Sequence, residues 1–149
     1  MARALVEAVR ATGAGAFLAD TAPLIYRLER RGDARHVAAC DALFDEVDGG
    51  DLACLVSTLS AAELFVGAFR SGARAVAFLD AILRSPSVGL APPTLEAATM
   101  GARWVAERRV GRLTDALIAA TAHDLGVPLV TADRRLARAT GALLVADFA

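Results

Sequence analysis

The chain has 149 residues, 56% of them hydrophobic, which suits one domain, residues 1–149, with a sizeable buried core. Net charge is −1, and all 16 cationic residues are arginine, so any mechanism that requires a lysine is excluded. Charges break every apolar run before the roughly 20 residues a membrane span needs, and Arg3, Glu7 and Arg10 interrupt Ala2–Thr12 too early for a secretory signal. The expectation is a soluble, cytoplasmic chain without membrane contact. Cys40 and Cys54 fall in different element types and are expected to stay reduced and structural. With only His36 and His123 besides, no Cys/His zinc pattern exists.

In chain order, a helix-like stretch at Ala2–Thr12 leads to an apolar run at Ala16–Ala19 that reads as a strand. Helical spacing follows at Pro23–Arg31 and Ala34–Asp48, then a strand at Ala53–Ser57. Two more helices, Leu59–Arg70 and Ala73–Arg84, precede a weaker strand, Ser87–Ala91, that stops at Pro92-Pro93. Leu95–Glu107 and Thr114–Leu125 read as helices, Leu129–Ala132 as a strand, Asp133–Ala139 as a helix and Leu143–Ala146 as a last strand. Ser60 or Thr58 could cap the helix that carries Glu63, and Thr114 the one that opens at Asp115. Gly126, with Pro128 beyond it, marks that helix's end. Strands alternating with helices, and apolar throughout, indicate an α/β fold with a parallel sheet of four to five strands buried on both faces.

The acids fall in a telling place. Asp20 directly follows the first strand and Asp133 the strand Leu129–Ala132, so both lie at the carboxyl edge where open α/β sheets bind ligands. Glu63 lies one turn into the helix after the second strand, and Asp115 opens the helix Thr114–Leu125. Each has a plainer reading alone: a turn or helix cap for Asp20 and Asp133, a dipole partner for Asp115, half of a capping box for Glu63. Together those readings leave the shared edge a coincidence. Clustered carboxylates repel, and a hard divalent cation such as Mg²⁺ resolves the conflict. Asp124, nine residues after Asp115, is expected to face away. Asp41, Asp45, Glu46, Asp48 and Asp51 read as solvated surface.

The pieces Leu18-Ala19-Asp20-Thr21, Ser57 to Leu64, Leu113 to Ala122 and Gly126 to Asp133 resemble, in order, those of the PIN-domain family and its VapC-like toxin ribonucleases. The resemblance covers roughly residues 16 to 147. It implies a three-layer α/β/α fold whose acidic pocket binds Mg²⁺ or Mn²⁺ and hydrolyses RNA phosphodiesters. Asp20, Glu63, Asp115 and Asp133 match the family's acids, and Thr21 and Thr131 its flanking hydroxyls. A homodimer inhibited by a cognate antitoxin is also implied. Two departures stand out: Ala22 replaces a small polar residue, and Met1–Gly15 precede the first strand, either as an added helix or through a mis-assigned start codon.

Substrate grip would come from arginines. Arg134 and Arg135, directly after Asp133, are best placed for an RNA phosphate; Arg27, Arg30, Arg31, Arg70, Arg74, Arg108, Arg109 and Arg112 are further candidates, most of them expected to be ordinary surface. Trp104 reads as a core or dimer contact, and Tyr26 could stack on a base. Leu24, Ile25, Leu28, Leu64, Phe65, Phe69, Phe78 and Leu79 supply apolar surface for a second copy or an antitoxin. A phosphoaspartyl enzyme fails for want of a lysine. A dinucleotide site fails because Thr12-Gly13-Ala14-Gly15 precedes the first strand rather than following it. The alternative from another class is a catalytically silent PIN fold that binds RNA or protein.

Overall fold

The apolar run Ala16–Ala19 (β1) occupies the centre of the sheet, and every other strand is ordered around it. In the computed structural model, which describes residues 2–149, β1 pairs in parallel with β2 (Ala53–Ser57) on one side and β4 (Leu129–Thr131) on the other. β3 (Val88–Ala91) and β5 (Leu143–Leu144) form the edges, giving the order β3-β2-β1-β4-β5 with all pairings parallel. Ala19 is in register with both Val56 and Val130, so the central strands end together at one edge.

Helices cover both faces. α1 (Ala4–Ala11), α2 (Thr21–Glu29), α3 (Ala34–Asp48), α4 (Thr58–Ser71) and α5 (Ala73–Leu83) contribute to the core that contains Phe17 and Ala19. α6 (Leu95–Ala106), α7 (Leu113–Leu125) and α8 (Arg134–Thr140) contribute to a second core around Leu18. Phe17, Leu18 and Ala19 are all completely buried although their side chains alternate between faces, as a doubly covered strand requires. At Gly101 in α6 an added Cβ would lie 3.2 Å from the backbone of Ala116, so glycine lets α6 approach α7 closely.

The helix at Ala4–Ala11 buries Leu5, Val6 and Val9 completely. Arg3 and Arg10 each reach Glu46 of α3, both at 2.7 Å. Such burial makes α1 part of the packed structure, and it accounts for most of the stretch before β1.

Several local expectations need correction. α4 is capped by Ser57, whose side chain accepts from Leu59 N, and neither Ser60 nor Thr58 does this work. Ser60 is instead fully buried. α7 starts at Leu113 with Arg112 as a backbone-only cap, leaving Thr114 without that role. The last strand keeps only two residues because Val145–Phe148 turns into a 3₁₀ segment that buries Val145. The acids on α3 are not all free surface: Arg27 bridges Asp41, Asp45 and Asp48 at 3.0, 3.1 and 2.9 Å, and Arg30 joins Asp41 at 2.8 Å. That network removes Arg27 and Arg30 from the arginines free to bind a substrate.

Candidate active site

The shared strand edge sets where the site forms. Asp20, the residue after β1, caps α2: its Oδ1 accepts from Thr21 N at 2.8 Å, and its own amide donates to Val130 O at 2.9 Å. Its second carboxylate oxygen accepts from Thr131 Oγ1 at 2.8 Å. Thr131 ends β4 and is completely buried, and its hydroxyl also accepts from Asp133 N at 3.0 Å. Asp133 in turn caps α8, taking Leu136 N at 3.0 Å.

Glu63 stands on the exposed side of α4, and its Oε2 accepts from Thr21 Oγ1 at 3.2 Å. A continuous hydrogen-bonded path therefore runs from Glu63 through Thr21, Asp20 and Thr131 to Asp133. Ala22 offers no hydroxyl, and Thr21 is the residue that reaches Glu63. Asp115 lies in the first turn of α7. Its carboxyl is pushed above its ordinary value, first by burial and then by the negative charge of Asp20. Arg112 opposes that rise, while Asp133 and Glu63 add to it. The charges of the other three acids thus all reach Asp115 through space. Asp124 lies elsewhere, accepting from Thr94 Oγ1 at 2.8 Å where α6 begins.

A pocket of about 270 Å³ opens here, lined by Asp115, Asp133, Arg109, Arg112 and Arg135 over Leu136 and Ala139. Arg135 is thus one of the residues lining this pocket. Arg134 turns instead toward Asp147, at 3.9 Å. A separate cavity of about 370 Å³ is mostly apolar, lined by residues such as Leu24, Phe44, Leu64 and Phe78. Asp48, which also lines it, is tied to Arg27, so the larger void holds no comparable chemistry.

The acids offer hard oxygen donors only, and the carboxyl of Asp115 is raised first by burial and then by the negative charge of its acidic neighbours. Among the described residues no group of three or more His, Cys, Asp and Glu side chains is arranged so that it could hold a metal ion. An ion of the Mg²⁺ type keeps several waters and takes only one or two carboxylates, so it does not require such a group.

The bridging by Thr131 of two acids on different elements has a weak sequence signal, a threonine two residues before an aspartate at a strand's end. The buried hydroxyl of Ser60, which has no hydrogen-bond partner among the described residues, has none.

The residues that build this edge lie within a segment, 17–142, that matches the family model of the PIN domain. The chain belongs to the PIN-domain family. Solved structures share the fold of this PIN domain. VapBC2 from Rickettsia felis, bound to a DNA fragment from its promoter, superposes with a TM-score of 0.66 at 18% identity, covering 87% of this chain and 96% of that one. A toxin-antitoxin complex from Klebsiella pneumoniae gives 0.66 at 20% identity, covering 86% and 96%. FitAcB from Neisseria gonorrhoeae gives 0.65 at 19% identity, covering 86% and 95%. No curated protein matches the sequence. No helix among the described residues of this PIN domain is long and apolar enough to cross a membrane.

Proposed function

We propose that this PIN domain is a Mg²⁺- or Mn²⁺-dependent endoribonuclease that hydrolyses RNA phosphodiester bonds and serves as the toxin of a toxin-antitoxin pair. The observation that carries the reading is that Thr21 links Glu63 to Asp20 and Thr131 links Asp20 to Asp133 at the carboxyl edge of β1 and β4, where their charges also reach Asp115.

Asp20 and Asp115 would hold the ion, with Glu63 and Asp133 completing the acidic ring. The ion, when bound, supplies charge neutralisation at the phosphate and an activated water. The chain's own part is positional. Thr131 and the Thr21 amide fix both oxygens of Asp20, so the carboxylate cannot rotate. Asp133 is fixed through Leu136 N, and Glu63 is steered by Thr21. Orientation of ligating carboxylates by such hydrogen bonds typically governs metal affinity by 10- to 100-fold.

The toxin role draws on the family and on solved neighbours described as toxin-antitoxin complexes. A cognate antitoxin and a second copy of this chain are the partners expected, and the exposed Phe69 and Phe78 offer apolar contact surface. RNA cleavage by antitoxin-free protein, with Mg²⁺ or Mn²⁺ and beside EDTA and Asp20→Asn controls, tests the function. Cutting that disappears in both controls supports it. A folded wild type that binds no metal and cuts no cellular RNA refutes it and leaves a binding module.

A further inference from the structure

The acid pocket is also an arginine pocket. Half of the 16 arginines are held in ion pairs with carboxylates, from Arg3 near one end of the chain to Arg134 near the other. Arg109, Arg112 and Arg135 are not among them, and all three line the pocket that holds Asp115 and Asp133. Arg112 and Arg135 are exposed and make no side-chain hydrogen bond or ion pair among the described residues. Arg112 is near enough for its charge to act on Asp115.

Arg109 is held differently. Its Nε donates to Ala139 O of α8 at 2.8 Å, and its guanidinium carbon lies 5.3 Å from the centre of the Trp104 ring. Those contacts leave both terminal nitrogens without a hydrogen-bond partner among the described residues, while fixing the group at the seam between α8 and the loop before α7. The loop is itself firmly built. The Arg109 and Val110 amides both donate to Trp104 O, at 2.8 and 3.2 Å, and Val110 is buried. Arg108 takes a left-handed turn there with φ 57°.

Charge explains why such a wall is needed. Four carboxylates repel an approaching phosphodiester strand, and one divalent ion neutralises only half of their charge. Further cations must come from the chain. Guanidinium forks fit phosphate oxygens in pairs and stay charged at every working pH. Ion pairing with the neighbouring acids would consume them, yet Arg112 and Arg135 share the pocket with Asp115 and Asp133 without forming an ion pair among the described residues.

We propose that Arg109, Arg112 and Arg135 form a subsite for a backbone phosphate of single-stranded RNA next to the scissile one. Arg109 is its fixed member, and Arg112 and Arg135 close on the phosphate as it arrives. The assignment rests on the nuclease reading and names how that site grips its substrate.

The test uses Arg112→Gln and Arg135→Gln, both at exposed positions, with Arg84→Gln on α5 as a remote control and Arg109→Lys to keep the charge while removing the fork. Binding of a single-stranded RNA oligonucleotide is followed by fluorescence anisotropy against salt, in an Asp20→Asn background. Each glutamine variant is expected to weaken binding about five- to tenfold and to reduce the slope of log affinity against log salt by about 0.7, the value for one single-strand phosphate contact. Arg109→Lys should weaken binding with little change in slope, and Arg84→Gln should match its background. In the active enzyme KM should rise by the same factor, with kcat changing less. Inorganic phosphate, as a probe, should compete only in the millimolar range; tight competition would instead assign the pocket to a free anion and overturn the RNA subsite. Unchanged slope and KM in both glutamine variants of an enzyme that still cuts RNA would overturn the subsite and leave the nuclease standing. A wild type that cuts nothing, but whose salt slope still falls in both variants, would overturn the nuclease and leave the subsite.

Discussion

Replacing Thr131 by valine removes one hydroxyl and almost no volume, at the point where two acids meet. That hydroxyl donates to Asp20 at 2.8 Å and accepts from Asp133 N at 3.0 Å, inside a completely buried side chain. A hydrogen bond to a charged group is worth about 1.5–3 kcal/mol, and leaving a backbone amide unsatisfied costs about 1–3 kcal/mol. The lower ends apply because Asp20 is only half-buried and Asp133 is exposed, so water replaces part of what is lost. A net loss of about 2–3 kcal/mol follows, or a drop of about 5–10 °C in Tm for a chain of this size. Thr131→Ser keeps the hydroxyl and gives up one buried methyl, about 1 kcal/mol. Urea denaturation in EDTA measures both variants, and Mn²⁺ titration should show affinity 10- to 100-fold lower for valine alone. Should the valine variant fall within about 0.5 kcal/mol of wild type and bind Mn²⁺ equally well, the hydroxyl is not what fixes Asp20, and the account of the site fails.

Asp115→Asn should stabilise the metal-free chain by less than about 1 kcal/mol, since it removes a partly buried charge and relieves its repulsion by the other acids, while abolishing cleavage; a loss of stability in EDTA would contradict that account of Asp115. Arg27→Met should cost about 1–2 kcal/mol, between the values for exposed and buried pairs, because Asp41 keeps only Arg30; urea curves should show the loss shrinking in 1 M NaCl, as about 3 Å of Debye length demands. Burial pushes the thiols of both Cys40 and Cys54 from an ordinary 9.0 up to about 12. The folded-state values are raised, so this stability is full below pH 9 and lost as pH rises toward 12; a disulfide reagent at pH 8 should react far faster with unfolded than with native chain. Gly101→Ala should destabilise by about 1 kcal/mol or more, since crowding the Ala116 backbone outweighs alanine's gain in helix propensity; a thermal midpoint at or above that of wild type would show that α6 and α7 can part without cost.

Asp20 and Asp133 are legible as site residues because each directly follows an apolar run, and a parallel sheet carries both to one edge. Their coupling through Thr131 is only weakly legible, since it depends on the register that sets Ala19 beside Val130. The clamp on Arg27 is half legible. Asp41, Asp45 and Asp48 repeat at the spacing of one helix face, but only the packing of α2 on α3 supplies their partner. Leu143–Ala146 reads as a strand because buried strands and short buried helical turns share the same apolar composition. For α4, Ser57, Thr58 and Ser60 are all capping types, and the backbone turn at Ser57 (ψ 138°) decides among them.

The hydrogen bond between Asp20 and Thr131 spans 111 residues of sequence, so this half of the site cannot form locally. A ribosome adding about 5–20 residues per second delivers Thr131 roughly 6–20 s after Asp20. Throughout that interval the nascent chain carries the first acid without the hydroxyl that holds its second oxygen. β4 is also an inner strand, and β1 can be flanked on both sides only once it has emerged. Whatever activity the pocket carries is therefore withheld from the growing chain, and truncation before Thr131 yields a product without a site.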